Sequence, residues 1–252
     1  MLSKNKIKYI HSLESKKNRD KERAFVAEGP KVVEDLMALR KPHLVVATAE
    51  WLRHTGTDMA CGCEVIEVSE DDLAKASFMQ HPQKVLAVFG QEREELRLSD
   101  FGKGLTLLLD GVQDPGNLGT IIRIADWFGI TRIVCSRDTV DVYNPKVVQS
   151  TMGSIARVTT YYTELNDFIA AMPQGMPVYG TLLDGEDIYR QELEETGLII
   201  MGNEGKGISP ETRKLINTGI RIPNYPPDRN TADSLNVAVA TAIVCSEFRR
   251  RI

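Results

Sequence analysis

Three groups of residues in this chain have the types and spacing to do chemistry. The first is Asn117-x-Gly119-x-x-x-Arg123. It follows an apolar run, Leu107–Asp110, that breaks at Asp110-Gly111, crosses a turn containing Pro115-Gly116 and restarts as an amphipathic segment with Asn117 read as the N-cap. The second is the glycine-rich stretch "GNEGKGIS", Gly202–Ser209, and the third runs from Ile222-Pro223 to "SLNVAVATAI", which begins at Ser234. A strand, a glycine turn and a helix start aim backbone N–H groups and a partial positive charge at a ligand, usually a phosphate. Here the phosphate-binding spacings are missing. Gly116 and Gly119 lack the first glycine of G-x-G-x-x-G, and no Lys-Ser/Thr pair follows. Arg123 lies six residues, or about 1.7 turns, beyond Asn117, so the two side chains share no helical stripe and converge only on a ligand beyond the helix's amino end.

The elements that must position these groups are legible as an alternation. "LTLLLD", "TRIVCS", "VYGTLL" and "GLIIMG" read as strands, separated by the helical stretches "LGTIIRIADWFG", "PKVVQSTMGSIA" and "ELNDFIAAM". This pattern predicts an α/β domain over residues 105–252, a doubly wound parallel sheet with helices on both faces. Ligands of such sheets sit past the carboxyl ends of the strands, where Thr181–Gly185, the Gly202 stretch and the segment from Ile222 all fall. Residues 1–90 form a smaller α/β unit, with "GPKVVEDLMAL" helical, "HLVVATA" and "KVLAVFG" strands, and Ser69-x-x-Asp72 a capping-box-like helix start. The polar, glycine-bounded stretch 91–104 reads as a linker or short helix.

Composition narrows the classes. The 252 residues are 42% hydrophobic, enough for a substantial core, and nowhere do about 18 uncharged apolar residues run together, so the reading is a cytoplasmic protein with no membrane span. The four cysteines are scattered, and Cys61-Gly62-Cys63 has no second pair or histidine cluster at zinc spacing; reduced thiols and no metal site are expected. The net charge of −4 hides an asymmetry: residues 1–41 carry 11 Lys/Arg against 6 Asp/Glu, or +5, which leaves −9 for the rest. An anionic partner would meet the basic end, with Lys16, Lys17, Arg19 and Lys31 as phosphate contacts, although a lysine run is more often just a solvated face.

Taken together and in order, the three groups resemble the motifs of the SpoU (TrmH-like) RNA 2′-O-ribose methyltransferases of the SPOUT class. The resemblance covers residues 105–252 and extends more loosely to the amino-terminal part, where "SKKNRDKERAFVAEGPKVVEDLM" looks like the start of the family's L30e-like substrate-binding domain and "HPQKVLAVF" like its end. It implies a carboxyl-terminal trefoil knot, against the general rarity of knots, together with S-adenosylmethionine as cofactor and a homodimer through the catalytic domain. It also implies methylation of a ribose 2′-hydroxyl in structured RNA, with ribosomal RNA preferred over transfer RNA.

The site residues follow from the same resemblance. Asn117, Arg123, Glu204, Ser234 and Asn236 match the catalytic set; Thr181, Leu182, Gly202, Asn203, Gly207, Ile222 and Leu235 match the cofactor contacts. Gly202, Gly205 and Gly207 would let the backbone approach a flat adenine where a Cβ would obstruct it. Arg123 is assigned to the target hydroxyl, and because guanidinium stays protonated in proteins it serves as a fixed cation facing developing alkoxide. Each has a structural alternative: an Arg123 salt bridge to Asp126 or Glu204, and Ser234 as a plain N-cap. The loop Asn224–Asp233 is longer than the family's and glycine-free, and its Tyr225 and Arg229 could contact RNA or merely decorate it. Two rivals remain. A nicotinamide or flavin enzyme lacks both G-x-G-x-x-G and the acidic ribose ligand, and a non-catalytic RNA-binding module leaves the catalytic set unexplained.

Overall fold

A computed structural model describes residues 2–55, 62–92, 94–226 and 232–250; Cys61 and Arg229 lie outside them. In chain order the elements are α1 (Lys4–Ser12), α2 (Lys16–Glu22), β1 (Ala24–Glu28), α3 (Pro30–Met37), β2 (Pro42–Thr48), α4 (Ala49–Thr55), β3 (Glu64–Val68), α5 (Glu70–Ala74) and β4 (Val85–Gly90). Then follow β5 (Leu105–Asp110), α6 (Pro115–Trp127), β6 (Arg132–Cys135), α7 (Pro145–Ser150), β7 (Thr159–Tyr162), α8 (Leu165–Ala170), β8 (Val178–Asp187), β9 (Gly197–Gly202), α9 (Pro210–Arg213), β10 (Thr218–Arg221) and α10 (Val237–Arg250). They form two compact units: Met1–Arg93 with Asp141–Ala156, and Glu94–Val140 with Arg157–Ile252.

The first unit holds a sheet in the order β1-β4-β2-β3, parallel only at β2–β3. Its core gathers Ile10 and Leu13 over Val26, Val46, Leu86 and Val88. Ser69 caps α5 by accepting from the Asp72 amide, as its spacing predicts. Residues 141–156 group with this unit although they sit within the stretch 105–252, and the reason is specific packing. The Tyr143 ring lies 4.6 Å from Phe25, its hydroxyl donates to the Glu92 carbonyl at 2.8 Å, and α7 lies along β1.

The second unit is an α/β layer structure on a sheet ordered β10-β8-β9-β5-β6-β7, every pairing parallel. Strands β5 and β9 lie between neighbours and are buried along nearly their whole length. That is why "LTLLL" and "GLIIM" read as continuous apolar runs and not as alternations. The polar stretch before β5 contains one short 3₁₀ turn, Leu98–Asp100.

Helix α6 starts earlier than its sequence suggests. Its N-cap is Asp114, whose carboxylate accepts from the Asn117 amide at 2.8 Å, with Pro115 in the first helical position. Proline there has no N–H to leave unsatisfied and a φ already set for helix, so Asp-Pro outcompetes Asn117 as the start. Asn117 is thereby moved into the first turn, and its side chain is released for other partners.

Candidate functional site

Against the middle of β8 and the carboxyl-terminal parts of β9 and β10 lies a cavity of about 340 Å³. Its lining includes all seven expected cofactor contacts, Thr181, Leu182, Gly202, Asn203, Gly207, Ile222 and Leu235, together with Glu204 and Ser234. Most of the walls are apolar, with Met201, Ile220 and Val237 at the base and Lys206, Arg221 and Asp233 supplying charge. A volume at the small-ligand end of ordinary pockets, apolar walls and a few convergent polar groups suit a nucleoside-sized amphipathic ligand such as S-adenosylmethionine.

The glycine-rich loop is built by its own backbone. Asn203 and Gly207 exchange N–H···O bonds of 2.9 Å each, while the Asn203 side chain accepts from the Gly205 and Lys206 amides and donates to the Gly111 carbonyl at 2.7 Å. Asn203 therefore organises the loop from within. Gly207 has φ +71°, which favours glycine. Gly202 is required by the loop itself: a Cβ there would lie 2.3 Å from the Gly207 carbonyl carbon and 2.4 Å from the Ile208 nitrogen. The obstruction is the returning loop, so a side chain would spoil the loop before it met any ligand. The Thr181 hydroxyl is engaged by the Ile200 carbonyl at 2.9 Å.

At the cavity lip three catalytic candidates form one hydrogen-bonded chain. Asn236 Nδ2 donates to Asn117 Oδ1, and Asn117 Nδ2 donates to Glu204 Oε1, both at 2.9 Å. Asn236 Oδ1 accepts from the Ala238 and Val239 amides and so caps α10. The cap is thus Asn236 and not Ser234, which stands exposed on the cavity wall. Arg123, on the same helix as Asn117, is exposed. Neither suggested salt-bridge partner holds it: Asp126 is taken by Arg157 at 2.7 Å, and Glu204 Oε1 by Asn117.

The basic amino-terminal candidates divide. Lys16 and Lys17 are exposed, and Lys31 pairs with Asp35 one turn along while staying mostly in solvent. Arg19 is only 2% exposed: it donates to Asp141 Oδ2 at 2.7 Å and to the Leu13 and Glu14 carbonyls. A phosphate has no route to it, so Arg19 is corrected from an RNA contact to an internal brace. Counting charge along a chain cannot tell which cation of a short helix faces inward.

Sequence reasoning missed Asp110, whose carboxylate accepts from the Ser209 amide at 2.8 Å and anchors the far end of the glycine-rich loop. It also missed Asp114; the Asp-Pro-Gly run was the available signal. Among the described residues no group of three His, Cys, Asp or Glu side chains could hold a metal ion, and no helix is long and apolar enough to cross a membrane. The Cys135 and Cys245 thiols are buried; burial pushes Cys245 up to about 12 and Cys135 up as well, which keeps both protonated.

Comparison with known proteins decides which chemistry this geometry belongs to. Residues 104–246 match the model of the SpoU rRNA Methylase family. The chain belongs to that family. Its residues 4–87 match a second model, the MRM3-like substrate binding domain. The 23S rRNA (guanosine(2553)-2′-O)-methyltransferase RlmP of Bacillus subtilis is 33% identical over 248 residues, covering 97% of this chain and 96% of that protein. Among solved structures, a TrmH-family protein from Porphyromonas gingivalis is 43% identical with a TM-score of 0.90, covering 100% of both chains. An AdoMet-bound rRNA methyltransferase from Sinorhizobium meliloti is 33% identical with a TM-score of 0.86, covering 100% of this chain and 97% of that one. These likenesses run the length of the family fold and past it into the amino-terminal unit.

Proposed function

We propose that this member of the SpoU family transfers a methyl group from S-adenosylmethionine to a ribose 2′-hydroxyl of 23S ribosomal RNA, as a cytoplasmic homodimer. The observation that carries the reading is the hydrogen bond from Asn117 to Glu204, which ties the helix bearing Arg123 to the lip of the cavity. The methyl donor supplies an electrophilic carbon on a sulfonium, so the protein's task is mainly alignment. Leu182, Ile222 and Leu235 provide apolar contact for the donor, the Gly202–Gly207 loop its backbone polar groups, and Ser234 a hydroxyl beside the incoming ribose. Arg123 remains a guanidinium cation and stabilises negative charge as the 2′-oxygen gives up its proton to phosphate or water.

Several finer points belong to the same proposal. The amino-terminal unit is an L30e-like RNA-binding domain that contacts phosphates through Lys16, Lys17 and Lys31. The carboxyl-terminal segment forms a trefoil knot. In support, β10 pairs with Tyr179 and Gly180 of β8, then skips to Glu186 and Asp187, and a Cβ on Gly185 would come within 2.9 Å of the Gly219–Ile220 backbone. The dimer forms through α6 and α10, which pack together and leave Trp127 85% and Val239 51% exposed; exposed apolar surface of this kind suits an interface. Transfer RNA is the alternative substrate. Mapping 2′-O-methyl groups in ribosomal and transfer RNA from a deletion strain decides between them: loss of one 23S methyl is expected, and an intact 23S pattern with a missing tRNA methyl overturns the ribosomal assignment.

A further inference from the structure

The three-residue chain at the cavity lip has a direction, and the direction is imposed from one end. Backbone N–H groups only donate, so the Asn236 oxygen that meets the Ala238 and Val239 amides at 3.0 and 3.3 Å must be the carbonyl oxygen of its amide. The other end of that amide is therefore a donor, and Asn117 must turn its oxygen toward it, at 2.9 Å. This leaves the Asn117 NH₂ facing Glu204, at 2.9 Å, where it can only be accepted. A carboxylate accepts on every lone pair; a protonated carboxyl gives one of them up.

We infer that Asn236 is a positioning residue: by capping α10 it fixes both amide orientations and holds Glu204 as an oriented acceptor at the cavity lip. The inference rests on the proposed cofactor reading only for what Glu204 then faces; the chain itself stands on the hydrogen bonds. It joins the glycine-rich loop, the first turn of α6 and the start of α10. Those are the three groups that the sequence separates by up to 119 positions.

Asn236→Asp separates this role from capping. Aspartate is as good an N-cap as asparagine, and its charge suits a helix amino end, so a residue that only caps would tolerate the change. As part of the chain it is not tolerated. The substituted carboxylate cannot donate to Asn117, so an acceptor faces the Asn117 oxygen; if Asn117 flips, its oxygen faces the Glu204 carboxylate instead. Either way two acceptors face one another and the chain loses a hydrogen bond. Glu204→Gln relieves the conflict, because a flipped glutamine presents its NH₂ to the flipped Asn117.

The experiment is a double-mutant cycle read in two ways, by thermal unfolding without ligand and by calorimetric titration with S-adenosylmethionine, at pH 8 and near pH 5. The expected result is that Asn236→Asp lowers the melting temperature and weakens cofactor affinity about tenfold at pH 8 in the wild-type background, and less than about twofold in the Glu204→Gln background. The loss should shrink near pH 5, where a carboxyl group can supply the missing donor. Equal losses in both backgrounds, or no loss at all, would overturn the inference and leave Asn236 as a cap alone. If wild-type protein fails to bind S-adenosylmethionine, the cofactor reading fails, while the unfolding arm still decides the chain.

Discussion

Arg19 on α2 and Arg123 on α6 are the same residue type on two helices, and the molecule places them in opposite surroundings. Arg19 is buried with its guanidinium distributed among Asp141 and two carbonyls. Arg123 is exposed, with neither Asp126 nor Glu204 taking it up. A buried arginine must have its donors satisfied, so it becomes structure. An exposed one meets no such demand, because water can satisfy its donors. The difference teaches that a cation's function is read from what already occupies its donors.

The contrast is broken or sharpened most strongly at Arg123. If it is a fixed cation facing the reacting oxygen, Arg123→Ala should cut single-turnover methyl transfer about 1000-fold while stability stays within about 0.5 kcal/mol of wild type and cofactor affinity is unchanged. Arg123→Lys should retain roughly one-hundredth of the rate, since an ammonium keeps the charge without the fork. Lost cofactor affinity would place Arg123 in the donor pocket instead.

Arg19→Met should do the reverse. It leaves Asp141 without its buried partner, and urea unfolding should show a loss of about 3 kcal/mol, with methyl transfer per folded molecule little changed. A variant as stable as wild type but with weakened RNA binding would return Arg19 to the RNA contacts.

Lys16 and Lys17 on the same helix test whether exposure is what matters. Their joint replacement by alanine should lower the slope of log affinity against log salt for RNA by about 1.5 units, two phosphate contacts' worth, without affecting stability. An unchanged slope would make them a solvated face.

The smallest effect concerns Glu28, where burial pushes the carboxyl above its ordinary value despite hydrogen bonds from Ser77 and Phe78. A group whose folded value is raised contributes stability that is complete below its unfolded value and lost as pH rises through the folded one. Glu28→Gln removes the titration, so wild type should fall relative to the variant as pH rises from about 4 into the neutral range. A pH-independent difference would show that burial of Glu28 is relieved in solution.

What the sequence determined by itself was the strand-and-helix alternation and the family resemblance that names the candidate site residues. The runs over β5, β6 and β9 are apolar because parallel strands are covered on both faces, and that leaves a one-dimensional trace. The seven cofactor candidates taken from the family resemblance line one cavity, on β8, at the ends of β9 and β10 and in the loops that follow β9 and β10. Only the tertiary structure decided how those residues act. Asn117 lost the cap to Asp114, Asn236 took the cap from Ser234, and Gly202 answers to Gly207 and Ile208. The two caps depend on which donor finds which acceptor, and Gly202 on how closely the loop returns over it. Sequence spacing constrains faces and periods, but a hydrogen bond between residues 117 and 236 is set by packing that no local pattern encodes.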